Sequence, residues 1–90
     1  MAEFVSRNGK LFIDGQEVIR GFESYSGWYW FATEESHRQE SVIEGKVYKD
    51  DQIYFGYVQG HEDEWGNFSE TELKLLKPKV WEIPKKNLPY

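Results

Sequence analysis

Residues 54–73, YFGYVQGHEDEWGNFSETEL, predict a strand, an acidic turn, a second short strand and the start of a helix in one continuous run. From Ile53 to Val58, apolar or aromatic side chains occur at both alternating positions, which is typical of a strand buried on both faces. Gly60 then opens a polar turn, and residues 65–68 resume an extended segment. The run therefore predicts a central strand followed closely by a neighbouring strand.

The residues after this second strand predict a short helix. Ser69 and Glu72 have the spacing of a capping box, in which the serine hydroxyl accepts a hydrogen bond from an amide of the first helical turn. Lys74 lies near the end where the helix dipole favours positive charge, and Pro78 cannot continue the helix. We therefore predict a helix from about residue 70 to residue 76.

The N-terminal region predicts a three-stranded meander. Asn8-Gly9 and Asp14-Gly15 are strong two-residue hairpin signals, because these pairs tolerate the positive backbone angles that tight hairpin turns need. If these turns set the register, Phe4, Leu11, Ile13 and Val18 lie on one face. The predicted strands span residues 3–7, 10–13 and 16–20.

The middle of the chain predicts further strands and two loops. Residues 28–33, WYWFAT, have the alternating pattern of a strand with aromatic side chains on both faces. One face is expected to pack in the core, whereas the other is either covered by the helix or tail or open as a binding surface, so Trp28 and Trp30 have two interpretations. Residues 21–27, GFESYSG, and residues 34–41, EESHRQES, lack strand periodicity and predict loops. Further strands are predicted at residues 42–48 and 52–59.

Residues 79–90, KVWEIPKKNLPY, predict an extended tail. Pro84 and Pro89 favour extended backbone. The tail contains four large apolar side chains, more than a fully solvated segment would carry, so part of it is expected to pack on the sheet: Val80, Trp81, Ile83 and Leu88. Docking on a partner and disorder are the alternative interpretations of this tail.

These segments together predict a mainly β (α+β) fold. The expected architecture is a bent antiparallel sheet or a small partly open barrel of about five to six strands, with one short helix near residues 70–76. Ninety residues suit a single compact domain spanning residues 1–90.

Composition excludes several classes of protein. The chain has no cysteine, which excludes disulfides and thiolate metal sites and fits a reducing compartment. Its apolar runs are too short for a signal peptide or a membrane span, so we expect a cytoplasmic protein without a membrane-embedded segment. The aromatic side chains, four Trp, six Tyr and six Phe, are expected to supply about half of the core.

Charge is unevenly distributed along the chain, whose formal net charge is −5. Residues 34–72 contain three basic and eleven acidic side chains, whereas residues 73–90 contain five basic and one acidic. A nucleic-acid-binding protein normally has a basic face that neutralises several phosphates. The sequence therefore predicts no nucleic-acid partner.

No set of residues points to a particular reaction, cofactor or metal. The acidic turn that begins at His61 matches neither a calcium loop nor a paired-histidine zinc motif. His37 lies in a separate polar segment, so neither histidine has a nucleophile or an orienting carboxylate at a recognisable spacing. We predict no catalytic residues and no cofactor; a small metal-dependent or hydrolytic enzyme is the alternative of another class.

The acidic turn suggests a binding surface instead. Glu62, Asp63 and Glu64, together with Tyr57 and Trp65, combine carboxylates and aromatic rings in a way that suits a basic protein partner. The same carboxylates could imitate the phosphates of nucleic acid, as in an inhibitor, or could simply keep an aromatic-rich surface solvated. A homodimer joined through an exposed strand edge or the tail is also compatible with the sequence.

Three segments carry a family resemblance: WYWFATE at residues 28–34, YFGYVQG at residues 54–60 and EWGNFSETEL at residues 64–73. Together they resemble a family of small bacterial proteins of unknown function found in plasmids, phages and integrated elements. Trp65 and Asn67 depart from the family pattern, and the N-terminal third has no counterpart in it. The resemblance implies an origin in a mobile element and transfers no catalytic residue. The matching positions are Gly56, Tyr57, Val58, Gly60, Glu64, Gly66, Phe68, Ser69, Glu72 and Leu73.

Overall fold

The computed structural model describes residues 2–75, 80–84 and 87–88. The predicted mainly antiparallel β fold with one short helix is confirmed. Two sheets form in place of one, with strand orders β1-β2-β3 and β7-β6-β5-β4-β8, and they do not close into a barrel within the described part of the chain. The elements are β1 Phe4–Arg7, β2 Lys10–Ile13, β3 Gln16–Glu17, β4 Arg20–Ser24, β5 Tyr29–Ile43, β6 Lys46–Gln59, β7 Asp63–Ser69, α1 Glu70–Leu75 and β8 Val80–Ile83.

The first sheet follows from its two turns. Asn8 and Asp14 each have a positive φ, at 53° and 50°, and each is followed by a glycine that also has a positive φ. This is the backbone that a two-residue hairpin turn requires. The three predicted strands are present, although the third ends at Glu17.

One core lies between the two sheets. Phe31 of β5 and Tyr57 of β6 are directly opposite each other, so their side chains share one face of the five-stranded sheet. They pack against apolar side chains of the first sheet and of the segment that leaves it. Its buried members are Leu11, Ile13, Val18, Phe31 and Tyr57, with Leu88 among the partly buried side chains packed against them.

A second core lies on the opposite face of the five-stranded sheet. Trp30 and Ala32 alternate with Phe31 along β5, so they point away from the first core. They pack with Tyr54 of β6 and with Leu73 of α1, which covers this face. Trp30 is buried and Trp28 packs partly buried against the same cluster, so both faces of the aromatic strand are covered.

The helix begins as its capping residues predict. The hydroxyl of Ser69 accepts a hydrogen bond from the amide of Glu72 at 3.0 Å, and α1 spans Glu70–Leu75. The predicted stop at Pro78 lies outside the described residues.

The loop predicted at residues 34–41 is wrong, because β5 continues without interruption to Ile43. These residues pair with β6 and turn through Glu44 and Gly45 into a long hairpin. The far part of this hairpin is exposed, with Val42 and Val47 opposite each other at 67% and 51% exposure. It carries no buried face, so the period-2 apolar pattern of a strand is absent from its sequence.

The loop predicted at residues 21–27 is also largely wrong. Residues Arg20–Ser24 form β4, which lies between β5 and β8 and buries Phe22 in the second core. Gly21 and Ser24 obscure the strand pattern, although both residues are buried. Strand β8, from the C-terminal part of the chain, pairs with the outer edge of β4 and places Ile83 opposite Gly21.

No helix in the described ranges is long and apolar enough to cross a membrane.

Candidate functional site

An open groove of about 340 Å³ lies where the second turn of the first sheet overhangs the five-stranded sheet. Three adjacent strands, β5, β6 and β7, form its floor, and Asp14 and Gln16 form one wall. The lining combines two carboxylates, two aromatic rings and two neutral polar side chains. The lining residues are Asp14, Gln16, Thr33, Glu34, Phe55 and Trp65.

The floor of the groove is a stacked aromatic pair. The rings of Phe55 and Trp65 are 5.8 Å apart between centroids and inclined by 15°. Trp65 also contacts the ring of Tyr57 edge to face at 5.3 Å, and Tyr57 belongs to the first core. Phe55 is 37% exposed, an unusual position for a phenylalanine in the middle of a sheet. Phe55 and Trp65 therefore form an aromatic platform, which is supported by the first core through Tyr57 and is accessible from the groove.

Two carboxylates flank this platform. Asp14 is fixed by the backbone of Glu3, whose amide donates to Asp14 Oδ1 at 2.8 Å and whose carbonyl accepts from the Asp14 amide at 2.8 Å. Glu34 is exposed on β5, directly opposite Phe55. Neither carboxylate forms an ion pair with any residue that the structure describes. Aromatic faces beside uncompensated carboxylates favour a cation.

Tyr57, which the sequence placed on the binding surface, lies in the core at 5% exposure. Burial raises the pKa of its phenol, and the neighbouring Asp63 carboxylate raises it further. Tyr57 therefore stays neutral and supports Trp65 from below; it does not offer a surface to a partner.

The three consecutive carboxylates of the acidic turn do not form one surface. Glu62 lies in the bend before β7, whereas Asp63 and Glu64 are the first residues of that strand. Because consecutive strand residues point to opposite faces, Asp63 shares the face of Trp65 and Glu64 lies on the other. All three are exposed. Of the residues that the sequence proposed for binding, only Trp65 lines the groove.

The other residues that line the groove could not be identified from the sequence, because strand pairing brings them together from separate parts of the chain. Phe55 belongs to an alternating run in which every side chain looked equally suited to the core. Its neighbour Glu34 belongs to the segment that the sequence predicts as a loop, and the sequence predicts Asp14 only as a turn residue. The exposure of Phe55 follows from the short first sheet, which covers Tyr57 and stops before Phe55. No local sequence pattern indicates where the first sheet stops covering the five-stranded sheet.

The histidines make contacts of another kind. His61 meets the ring of Trp28 edge to face at 5.5 Å. His37 Nδ1 lies 2.9 Å from Ser36 Oγ, and His37 Nε2 lies 2.9 Å from Gln39 Oε1, all on the exposed part of β5. A catalytic histidine is normally oriented by a carboxylate. The ring of His37 contacts a hydroxyl and an amide at the rim of an open depression that it lines together with Ser69 and Glu72.

Within the described ranges, no group of three or more His, Asp or Glu side chains is arranged to hold a metal ion.

Comparison with known proteins adds no relative to these observations. A scan against protein-family models, a search of curated proteins and a search of solved structures each found no match to this chain.

Proposed function

We propose that this chain is a non-catalytic protein-binding module that receives a basic side chain of a partner protein in the groove above Phe55 and Trp65. The observation that carries this proposal is the exposed aromatic stack between two carboxylates, Asp14 and Glu34, that have no basic partner in the described structure.

The chemistry of the groove suits an arginine or lysine side chain. A guanidinium or ammonium over an aromatic ring gains about 0.5–2 kcal/mol, with the larger values where water is excluded. The alkyl part of the same side chain can cover the exposed edge of Phe55 while its charged end reaches Glu34. Aromatic anchors near charged groups are also common among the residues that dominate protein interfaces.

The net charge of the whole molecule supports the same class of partner. At −5, the chain attracts basic proteins over a distance and speeds their encounter. The family resemblance supports an origin in a mobile element, and the absence of cysteine supports a cytoplasmic setting. In that setting the partner is a protein of the host or of the element itself.

The test is affinity capture from a bacterial lysate with identification by mass spectrometry. The native protein is compared with Glu34→Lys, which reverses one charge in the groove, and with Glu40→Lys, which makes the same change on the exposed far part of β5, away from the groove and from β7. All three proteins must first give the same circular dichroism spectrum. A partner that the native protein and Glu40→Lys capture, and that Glu34→Lys loses, supports the proposal.

The opposite pattern contradicts it. If the native protein captures no protein that Glu34→Lys loses, the groove is not the binding site. If a captured partner is released by added DNA or RNA, the chain acts as a mimic of nucleic acid in place of a plain interaction module.

A further inference from the structure

Strand β7 is an exposed and regular sheet edge. On its inner side it pairs with β6 in unbroken register, from Gln59 opposite Asp63 to Ile53 opposite Ser69. On its outer side, no strand of the described structure pairs with it. Alternate backbone amides and carbonyls of β7 therefore point outward without a strand partner, which is the feature that lets a sheet accept another strand.

The other free edges are less suited to strand addition. Beyond its pairing with β4, β5 contains register shifts after Ala32, Glu35 and Gln39, and such irregularities disrupt the row of outward groups. Strand β8 has only four residues, and its Glu82 is held by Arg20. Seven regular residues make β7 the longest uninterrupted free edge among the described strands.

The groove lies beside this edge. Trp65 is opposite Tyr57 and Asn67 is opposite Phe55, so both β7 side chains lie on the groove face of the sheet. Gly66 lies between them, and a Cβ there would have no heavy atom within 4 Å. A glycine in an edge strand lets another backbone approach closely.

We propose that an extended, basic segment of the partner protein adds to β7 as a sixth strand and extends one Lys or Arg side chain over Trp65 into the groove. This inference rests on the proposed function and specifies how the partner is recognised. Backbone hydrogen bonds to β7 supply affinity that does not depend on sequence, and the groove selects the basic side chain.

Charge favours a basic segment over a second copy of the chain. Strand β7 contains Asp63 and Glu64 and no basic residue, and Glu62 precedes it. If two copies of β7 pair antiparallel about Gly66, Asp63 lies opposite Ser69 and Glu64 lies opposite Phe68, so a second copy offers no positive charge to either carboxylate. A strand with basic residues at alternate positions places its charges on one face of the sheet, where they can lie beside Asp63 and the groove.

The probe is the peptide Arg-Thr-Arg-Thr-Arg-Thr-Arg, titrated against the native protein while Trp fluorescence is followed. Two further peptides carry N-methyl groups at two even-numbered or at two odd-numbered positions. N-methylation removes backbone donors but keeps every charge. Only one parity can face β7, so we expect one methylated peptide to bind about tenfold or more weakly, as loss of about two hydrogen bonds implies, and the other to bind like the parent.

Each other outcome overturns the strand addition. If both methylated peptides bind as tightly as the parent, the contact is one of charge alone and the groove proposal survives without β7. If no peptide binds, an extended basic segment is not the ligand. The affinity capture with Glu34→Lys then tests separately whether the groove binds a partner protein. If sedimentation shows a dimer whose β7 amides are protected from hydrogen exchange without peptide, a second copy occupies the edge.

Discussion

Gly56 on β6 and Gly66 on β7 lie directly opposite each other, but only Gly56 is enclosed. A Cβ at Gly56 would lie 1.9 Å from the carbonyl oxygen of Phe31 and 2.9 Å from Ala32 Cα, whereas a Cβ at Gly66 would meet nothing within 4 Å. The close approach of β5 to β6 at this point is next to the register shift that places Glu34 opposite Phe55. Gly56 therefore helps to set the geometry of the groove.

The first prediction compares the same substitution at these two positions. Gly56→Ala should lower the free energy of unfolding by about 3 kcal/mol, because the clash is with backbone that cannot rotate away. Gly66→Ala should change it by less than about 1 kcal/mol, with stabilisation the expected sign, because Ala restricts the unfolded chain. Urea denaturation of both variants checks this. Equal effects at the two sites would show that β5 moves to accommodate the methyl group.

The second prediction concerns the guanidinium of Arg20, which connects four elements. It donates to Glu82 at 2.9 and 2.6 Å and to Glu70 at 3.0 Å, and it also bonds the hydroxyl of Tyr54. Its side chain is 26% exposed, so solvent screens these contacts only in part. Arg20→Met should cost about 2–3 kcal/mol, because it leaves the Glu82 carboxylate without its donor and leaves Glu70 with Lys74 alone.

A surface ion pair provides the control for Arg20. Lys10 Nζ lies 3.8 Å from Glu17 Oε2 and its side chain is 60% exposed. Lys10→Met should change stability by about 0.5 kcal/mol or less. Similar losses for the two variants in guanidinium chloride would mean that the Arg20 contacts are worth no more than an exposed pair.

Turns and caps were predictable because their chemistry is local. Asn8-Gly9 and Asp14-Gly15 suit positive φ, and Ser69 has Glu72 at the spacing of a cap, so a few adjacent residues determine each feature. The long hairpin was not predictable in this way. Residues 34–43 are held by pairing with β6, the next strand of the hairpin, and have no buried face of their own, so the sequence lacks the alternation that identifies strands.

The groove was less predictable still. It requires Glu34 and Phe55, far apart in the chain, to become neighbours through a shifted register. It also requires the second turn of the first sheet, which contains Asp14, to lie beside them. The sequence does predict a binding surface of acidic and aromatic residues. The three carboxylates it indicates are adjacent in the chain, however, and strand alternation places Asp63 and Glu64 on opposite faces of the sheet.

The third prediction is a pH dependence that arises from Asp51, which is 1% exposed. Its carboxylate accepts hydrogen bonds from Ser41 Oγ at 2.6 Å, Ser69 Oγ at 2.5 Å and the Thr71 amide at 3.1 Å. Burial alone would raise the pKa of Asp51, but these hydrogen bonds outweigh it and hold the pKa below its usual value. The folded state therefore binds this proton less readily than the unfolded state does.

The stability that follows from this shift is fully present above the unfolded pKa of about 3.9 and is lost as the pH falls through the lower folded pKa. Asp51→Asn should cost about 2 kcal/mol at neutral pH, and its difference from the native protein should shrink on acidification. Asp50→Asn is the matched control, since Asp50 is exposed at a φ of 58° that Asn tolerates. Thermal melts between pH 7 and pH 2 test this, and a constant difference for Asp51→Asn contradicts it.

The fourth prediction is that a chain ending at Lys79 loses much of its stability. Strand β8 covers the outer edge of β4, and its Ile83 is 7% exposed opposite Gly21. Removing it also removes Glu82 from Arg20, so the total cost should be about 3 kcal/mol and the Tm should fall by about 10–20 °C. In the full chain, Ile83→Ala should reproduce part of this loss, whereas Trp81→Ala, at a side chain that is 41% exposed, should have little effect. An unchanged Tm after truncation would contradict this prediction, because it would mean that β8 does not stabilise the domain. Docking of the tail on another molecule would then be the better interpretation.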